Sequence, residues 1–184
     1  MLEYVGKKDE AAIKDKVECA EFDSYIDELT NFNLCIKGDN LSVMKSLIKH
    51  HGLNASVDLV YIDPPFSTNN IYKSGTERVS TISYSNDDCL SYNDCFTLNE
   101  YLEFLRERFV FLREILAKNS SIYVHIDYSI GHYVKVLMDE IFGRDNFKNS
   151  ITRIKCNPKN FKRKAYGNIK DMILFYTFGN NYIW

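Results

Sequence analysis

Apolar residues along the chain follow two spacings, and each spacing predicts a different kind of element. Short apolar runs, each consistent with a strand, occupy 33–36, 57–62, 120–127, 149–155 and 171–178. Apolar positions three and four residues apart predict helices over 41–50, 97–117 and 130–142. Strands that alternate with helices in this way are typical of an α/β fold, and the strand–helix–strand spacing over 33–62 fits one parallel βαβ unit.

The stretch from Val57 to Ile62 ends on a polar corner. Its apolar residues predict a strand buried on both faces, as in the middle of a parallel sheet. Asp63 follows where the strand ends, and ligands of open α/β sheets bind at such carboxyl ends. Pro64 and Pro65 fix the backbone and carry no N–H, so a rigid loop is expected to present one or two free carbonyls beside the ring of Phe66. Either this corner is a binding site, or Asp63 is a turn residue before a proline stop.

The helix starts and the next strand supply further candidates. Asp39 or Asn40 can cap the first predicted helix, and Thr97 opens the second with a capping box. His125 and Asp127 lie near the carboxyl end of the third predicted strand. They indicate either acid–base chemistry or a structural hydrogen bond.

Two polar segments accompany these elements. Residues 1–30 hold nine Asp or Glu against four Lys and predict an acidic peripheral helix or arm, separate from a catalytic domain over 31–184. Residues 67–96 are rich in Ser and Asn, and their length predicts a lid or substrate loop. The arginines of the second helix are predicted surface partners of acidic side chains: Arg106, Arg108 and Arg113.

One segment is strongly basic, although the chain as a whole has a net charge of −2. Residues 153–170 contain seven Lys or Arg and no acid, with Phe161 and Tyr166 between them. Cations at this density neutralise phosphates, and aromatic rings stack on exposed bases. The candidate DNA contacts are four cations of this segment: Lys159, Lys162, Arg163 and Lys164. The alternative is a solvated hairpin loop.

Length and composition narrow the class of protein. A chain of 184 residues with 45% hydrophobic residues suits one domain with a sizeable core. Its five cysteines form no CxxC pair, which predicts reduced thiols in a cytoplasmic protein and no structural metal. No apolar run is long enough to cross a membrane, so no membrane partner is expected.

Several of these segments, in this order, resemble one family. They are Gly38-Asp39-Asn40, Val57 to Phe66, Tyr92-Asn93-Asp94, Ile122 to Tyr128, Asp139 to Phe147, Lys159-Asn160-Phe161 and Asp171 to Tyr176. The chain resembles the amino-terminal half of a beta-group DNA amino-methyltransferase, as found in type III restriction–modification systems and their type II relatives. The resemblance implies a partial Rossmann-like methyltransferase sheet with a circularly permuted strand order. That sheet is expected to be mostly parallel, with an antiparallel hairpin at one edge.

The resemblance also implies a chemistry and a set of partners. It assigns S-adenosylmethionine as the cofactor, near Asp39, Asn40 and Asp63, and makes Asp63 to Phe66 the catalytic corner. It favours methylation of adenine N6 over cytosine N4, on a base flipped out of the duplex. The expected partners are double-stranded DNA and either a restriction subunit or a missing carboxy-terminal half. A homodimer is a further alternative.

One part of that family's site is not in this sequence. The eight glycines include no pair at GxG spacing, so the glycine-rich loop that cradles the cofactor in this family is missing. We therefore predict a truncated or split methyltransferase that is inactive by itself. The alternative is a non-catalytic DNA- or partner-binding half of a split enzyme.

Overall fold

The computed structural model describes residues 1–22, 33–65, 96–155, 164 and 166–182, and the backbone alone of 71–74, 81–82 and 89–93. The described helices are α1 (Glu10–Lys16), α2 (Asn40–His51), α3 (Leu98–Ile115) and α4 (Gly131–Phe142), with a 3-10 turn at Arg144–Asn146. The described strands are β1 (Val57–Ile62), β2 (Ile71–Ser74), β3 (Thr81–Ile82), β4 (Cys89–Asn93), β5 (Leu116–Asp127), β6 (Phe147–Ile154) and β7 (Lys170–Thr177). None of the described helices is both long and apolar enough to cross a membrane.

The helix ends follow the capping chemistry of the sequence. Asp39 lies at the N-cap of α2 and accepts a hydrogen bond from the backbone N–H of Ser42 at 3.1 Å. Thr97 forms a reciprocal capping box with the third residue of α3. Gly52 follows α2 with a φ of 67°, a left-handed conformation in which a residue without Cβ is unstrained. These boundaries confirm the first two predicted helices to within two residues.

The main sheet has the strand order β1-β5-β7-β6. β1 and β5 are parallel, while β7 runs antiparallel to both β5 and β6. β6 therefore points the same way as β1 and β5, and β7 is reversed. This arrangement confirms the predicted α/β sheet with an antiparallel hairpin, β6–β7, at one edge.

β1 differs from the prediction of a strand buried on both faces. Among the described strands it pairs with β5 only, so it forms an edge of the main sheet. Val60 and Ile62 pack against the core, whereas Leu59 and Tyr61 on the other face are each 60% exposed. Within the described part of the chain the prediction of a strand buried on both faces is wrong, because an apolar run does not reveal how many neighbours a strand will have.

Residues 33–36 are not a strand in the structure, contrary to the prediction. Leu34 and Ile36 are both exposed. A strand needs a neighbour to satisfy its backbone N–H and C=O groups, and this segment pairs with none of the described strands. The predicted parallel βαβ unit over 33–62 is therefore not formed within the described part of the chain.

The core lies between α3, α4 and the inner face of the main sheet. Tyr101 and Phe109 of α3 are fully buried there. Two arginines of α3 are also buried, contrary to their prediction as surface residues: Arg106 is 4% exposed and Arg108 is 8% exposed. Arg106 donates a hydrogen bond to the backbone carbonyl of Lys8 at 2.6 Å, and Arg108 donates one to the backbone carbonyl of Phe104 at 2.9 Å.

The acidic amino-terminal segment packs against α3. Ile13 of α1 is buried, and the hydroxyl of Tyr4 donates a hydrogen bond to Glu103 at 2.7 Å. Burial, followed by this contact with Glu103, raises the pKa of the Tyr4 hydroxyl. Arg113, the third arginine of α3, pairs with Glu10 at 2.5 Å in a half-buried position. A domain boundary at the end of this segment stays a prediction.

The segment predicted as a lid or substrate loop contains three short strands. β2, β3 and β4 form a separate antiparallel sheet with the order β3-β2-β4. The segment is therefore not irregular throughout, because its scattered β-forming residues pair with one another locally. Its role as a lid stays a prediction.

Candidate active site

Asp63 lies directly after β1, at the carboxyl end of that strand. Its side chain is 56% exposed, and the strand before it is an edge of the main sheet. Pro64 is buried and Pro65 is half-buried, so the prolines anchor the corner while the carboxylate reaches outward. The carboxylate oxygens are therefore accessible as hydrogen-bond acceptors for a ligand.

His125 connects Asp63 to the interior of the protein. Its imidazole is buried on β5, with Nδ1 3.1 Å from Oδ1 of Asp63 and Nε2 3.4 Å from Oδ2 of Asp171 on β7. The imidazole thus lies between two carboxylates: Asp63, which follows β1, and Asp171, which belongs to β7. We call Asp63, His125 and Asp171 the carboxylate–imidazole chain. Asp127, the other half of the predicted His–Asp pair, instead accepts hydrogen bonds from the N–H and hydroxyl of Ser129.

Asp171 is buried and surrounded by cations. Nζ of Lys155 lies 2.5 Å from its Oδ1, and Nη1 of Arg153 lies 3.0 Å from its Oδ2. Burial alone would raise the pKa of Asp171, but the hydrogen bond and charge of Lys155, with bonds from His125 and Arg153, hold it below its usual value. Asp171 is therefore ionised at neutral pH and fixes the far side of the imidazole.

The loop after Asp63 is held in place by α3. The hydroxyl of Tyr101, in the first turn of α3, donates a hydrogen bond to the backbone carbonyl of Pro65. The sequence predicts one or two free proline carbonyls at this corner, and the carbonyl of Pro65 is not free. A buried tyrosine hydroxyl needs a partner, and the loop lies within its reach. Phe66, the predicted stacking ring, lies outside the described residues.

Asp39 and Asn40, the predicted cofactor residues, are exposed at the start of α2. Oδ2 of Asp39 lies 3.6 Å from Nη2 of Arg108, whose guanidinium lies over the ring of Phe104 at 3.5 Å. Burial lowers the pKa of Arg108, and the charge of Asp39 partly opposes that shift. Asp39 therefore caps a helix, pairs with a buried cation and still presents an accessible oxygen.

The structure separates the two groups of predicted site residues along α3. Tyr101 contacts Pro65, and Arg108, seven positions later, contacts Asp39. At the rise of an α-helix, seven positions correspond to about 10 Å along the axis. Asp39 and the proline loop after Asp63 therefore contact α3 at residues about 10 Å apart along its axis.

The basic segment starts and ends beside the carboxylate–imidazole chain. The N–H of Lys155 donates a hydrogen bond to the carbonyl of Ile169 at 2.7 Å, which closes the base of the loop. Lys155 also pairs with Asp171, so the loop leaves the sheet next to the candidate site. Lys164 and Tyr166 are exposed. The other predicted DNA contacts lie outside the described residues: Lys159, Lys162 and Arg163.

The sequence reasoning does not find Asp171 or Tyr101 as members of the site. The available signal is that a polar residue interrupts an apolar strand, as His125 does, because a buried polar group needs partners. The choice of partner depends on register: Asp171 pairs with Asp127 across β5 and β7, which places it diagonally to His125. Within the described part of the chain, no group of three or more His, Cys, Asp or Glu is arranged to hold a metal ion.

The sequence of this chain matches a family model and several known proteins. The model of the DNA methylase family matches residues 57–183, which is more than half of the chain. The Type II methyltransferase M.EcaI of Enterobacter cloacae is 36% identical over 192 aligned positions, which cover 100% of this chain and 38% of that enzyme. The probable type III restriction-modification enzyme HindVI Mod subunit of Haemophilus influenzae is 38% identical over 120 residues, covering 65% of this chain and 14% of that subunit.

Among solved structures, the M1.HpyAVI–SAM complex matches 78% of this chain and 53% of its own, with 14% identity and a TM-score of 0.45. The chain thus spans well under half the length of the curated relatives it matches. The match of the family model includes the Asp63 corner, His125 and Asp171. On the extent of that match, the chain belongs to the DNA methylase family.

Proposed function

We propose that this chain carries the base-binding corner of an S-adenosylmethionine-dependent DNA amino-methyltransferase that acts on adenine N6. The proposal rests on one observation above the others. Asp63 presents an exposed carboxylate at the carboxyl end of β1, between a fixed proline loop and the buried His125. A rigid acceptor of this kind suits an exocyclic amine, the target of the reaction.

The chemistry explains why an acceptor is needed at this place. The lone pair of an exocyclic amine is delocalised into the ring, which makes the nitrogen a poor nucleophile. Acceptors that take hydrogen bonds from its N–H groups favour a tetrahedral nitrogen and stabilise the positive charge that develops during attack. Asp63 supplies the charged acceptor and the carbonyl of Pro64 the neutral one. The motif that begins with Asp favours adenine N6, and cytosine N4 is the competing outcome.

The chain fits part of a cofactor site. Asp39 keeps an exposed carboxylate oxygen beside Arg108, and such an oxygen accepts hydrogen bonds from ribose hydroxyls or an adenine amine. S-adenosylmethionine, when bound, supplies a methyl group on a sulfonium that needs no enzyme-bound intermediate. The glycine-rich turn for its remaining part has no counterpart in the sequence. We therefore infer that these residues alone do not complete the cofactor site.

The exposed cations of the basic segment support DNA as the substrate. Lys164 and Tyr166 are exposed on the loop that leaves the sheet beside Asp171. In this proposal the loop holds phosphates next to a base flipped toward Asp63. The likeness to Mod subunits of type III restriction-modification enzymes makes a restriction subunit a candidate partner. A protein that methylates bacterial DNA in this way would act in the cytoplasm.

The central experiment uses a hybrid enzyme, in which this chain replaces the aligned 38% of M.EcaI. Purified hybrid, M.EcaI and the 184-residue chain are each incubated with DNA and radiolabelled S-adenosylmethionine. We expect methyl transfer by the hybrid and by M.EcaI, none by the chain alone, and loss of transfer in the Asp63→Ala hybrid. A folded hybrid that binds S-adenosylmethionine yet transfers no methyl group would overturn the proposal.

The identity of the base and the cofactor requirement are checked separately. Mass spectrometry of nucleosides from the methylated DNA is expected to show N6-methyladenine. N4-methylcytosine without N6-methyladenine would show that the target is cytosine N4 and not adenine N6. Calorimetric titration of the chain alone with S-adenosylmethionine is expected to show no micromolar binding. Binding at that affinity would contradict the inference that the cofactor site is incomplete.

A further inference from the structure

We propose that His125 is the positioning residue of the site, which holds the Asp63 carboxylate in the orientation that accepts the amine. This inference rests on the proposed function and adds a residue to it. The predicted catalytic corner contains only Asp63 and the three residues after it. The carboxylate–imidazole chain extends the site into the sheet, from an exposed acceptor to a buried ionised anchor.

The need for such a residue follows from where Asp63 lies. Its side chain is 56% exposed, and it follows a strand that pairs, among the described strands, with β5 only, so no described strand restricts it on the outer side. An exposed aspartate samples several rotamers, whereas catalysis needs one. The contact at 3.1 Å from Nδ1 of His125 selects the rotamer that points its Oδ1 at β5. The second carboxylate oxygen then faces away from that contact and remains for the substrate.

The imidazole can do this because it is itself fixed. His125 is buried on β5, a strand paired on both sides by β1 and β7. Its Nε2 faces Asp171, which Lys155 and Arg153 hold from the opposite side. A ring packed in a sheet and contacted at both nitrogens does not rotate freely. The buried cluster on β6 and β7 thus holds the imidazole of His125, and the imidazole in turn orients the exposed carboxylate of Asp63.

The contact between His125 and Asp63 depends on which nitrogen of the imidazole carries a proton. Ionised carboxylates only accept hydrogen bonds, so the contact with Asp63 is a hydrogen bond when Nδ1 of His125 carries a proton, and the contact with Asp171 is one when Nε2 does. Among the described residues, the charged groups around the ring include Asp63 after β1, Asp171 on β7, and Arg153 and Lys155 at the end of β6. Two substitutions of His125 by an amide side chain distinguish the roles of the two nitrogens. His125→Asn keeps a donor near the Nδ1 position, and His125→Gln keeps one near the Nε2 position.

The first test needs no catalytic activity and uses the 184-residue chain. Nitrogen-15 spectra of the imidazoles, assigned with His125→Asn, report the Nδ1 resonance of His125. We expect Asp63→Ala to shift this resonance and Asp58→Ala, an exposed aspartate within β1, to leave it unchanged. The carboxyl carbon-13 resonance of Asp63 should move toward that of Asp58 in His125→Gln and His125→Ala but not in His125→Asn. Equal responses in all variants would overturn the positioning role.

The second test uses the hybrid enzyme and separates binding from turnover. We expect His125→Gln and His125→Ala to lower kcat by about 10²-fold with little change in the KM for DNA. His125→Asn should restore most of the lost kcat, which a merely structural histidine would not require. Wild-type kcat in the Gln and Ala hybrids would refute the proposal while leaving the methyltransferase function intact. An inactive wild-type hybrid would instead count against the proposed function, and the spectra of the chain alone would still decide the role of His125.

Discussion

The two strands that meet at the candidate site, β1 and β5, are neighbours with opposite surroundings. β5 has a paired strand on each side, and Ile122, Val124 and Ile126 are completely buried beneath α3 and α4. β1 is an edge, and its outer face leaves Leu59 and Tyr61 each 60% exposed. The site draws its accessible carboxylate from the exposed strand and its fixed histidine from the buried one.

This contrast shows how one site combines access with order. A carboxylate on β5 would be rigid but sealed from a base the size of adenine. A carboxylate on β1 is accessible, but its orientation needs support from elsewhere. The contact between His125 and Asp63 supplies that support across the strand pair. Substitutions on the β5 side should therefore affect stability most, and those on the exposed side should affect function with little loss of stability.

The largest expected difference is between two aliphatic residues on these strands. Ile122→Ala removes fully buried methyl groups and leaves a cavity, so the free energy of unfolding should fall by about 2–5 kcal/mol. Leu59→Ala, on the exposed face of β1, should change it by no more than about 0.5 kcal/mol. Urea unfolding followed by circular dichroism measures both. Similar losses for the two variants would mean that β1 is as buried as β5.

A smaller effect is expected at the buried end of the carboxylate–imidazole chain. Asp171→Asn leaves Lys155 and Arg153 without their carboxylate and should cost about 1–2 kcal/mol at pH 7, since both cations are partly exposed. The pKa of Asp171 lies below its usual 3.8 in the folded protein, so its stabilising contribution is complete above that value. The contribution is lost as the pH falls through the lowered pKa.

Unfolding of the wild type and of Asp171→Asn should therefore be compared from pH 7 down to pH 3. We expect the gap between their free energies of unfolding to stay constant down to about pH 4 and then to narrow. A gap that does not depend on pH would show that Asp171 stabilises the fold through packing and not through its charge.

The proline loop should give an effect of intermediate size. Tyr101→Phe removes the hydroxyl that bonds the carbonyl of Pro65 and should lower the free energy of unfolding by about 1 kcal/mol. Tyr133→Phe is a matched control because Tyr133, on α4, is 45% exposed. Methylation by the Tyr101→Phe hybrid should fall more than stability does, since the loop carries the neutral acceptor. Unchanged methylation would show that this hydrogen bond to the proline loop has no role in the reaction.

The smallest change in stability is expected at Asp39. Asp39→Asn keeps the helix cap and weakens the 3.6 Å ion pair between the buried Arg108 and a carboxylate that is 57% exposed. The free energy of unfolding should therefore change by no more than about 0.5 kcal/mol. Asp39→Ala also loses the cap and should cost about 1 kcal/mol. If Asp39 serves the cofactor, both hybrids should show a raised KM for S-adenosylmethionine. An unchanged KM would restrict Asp39 to capping α2.

The sequence by itself determined most of the elements around the main sheet and the position of Asp63 at a strand end. Periodicity defined α2, α3, α4 and the strands from β5 to β7, and capping residues fixed the starts of α2 and α3, because both are local properties of the chain. The apolar run ending in Asp63 placed the carboxylate at a strand end for the same reason. The run at 33–36 was as apolar as a strand, yet it forms none, because a strand also depends on a neighbour that local pattern does not specify.

The tertiary structure alone decided which residues surround that carboxylate. His125 and Asp171 are 46 positions apart, and their contact depends on the register between β5 and β7. The hydroxyl of Tyr101 reaches Pro65 only because α3 packs beside the loop. The exposure of β1 likewise follows from its place at the sheet edge. Contacts between residues that are distant in sequence depend on how the elements pack. A local pattern of apolar and polar residues does not specify that packing.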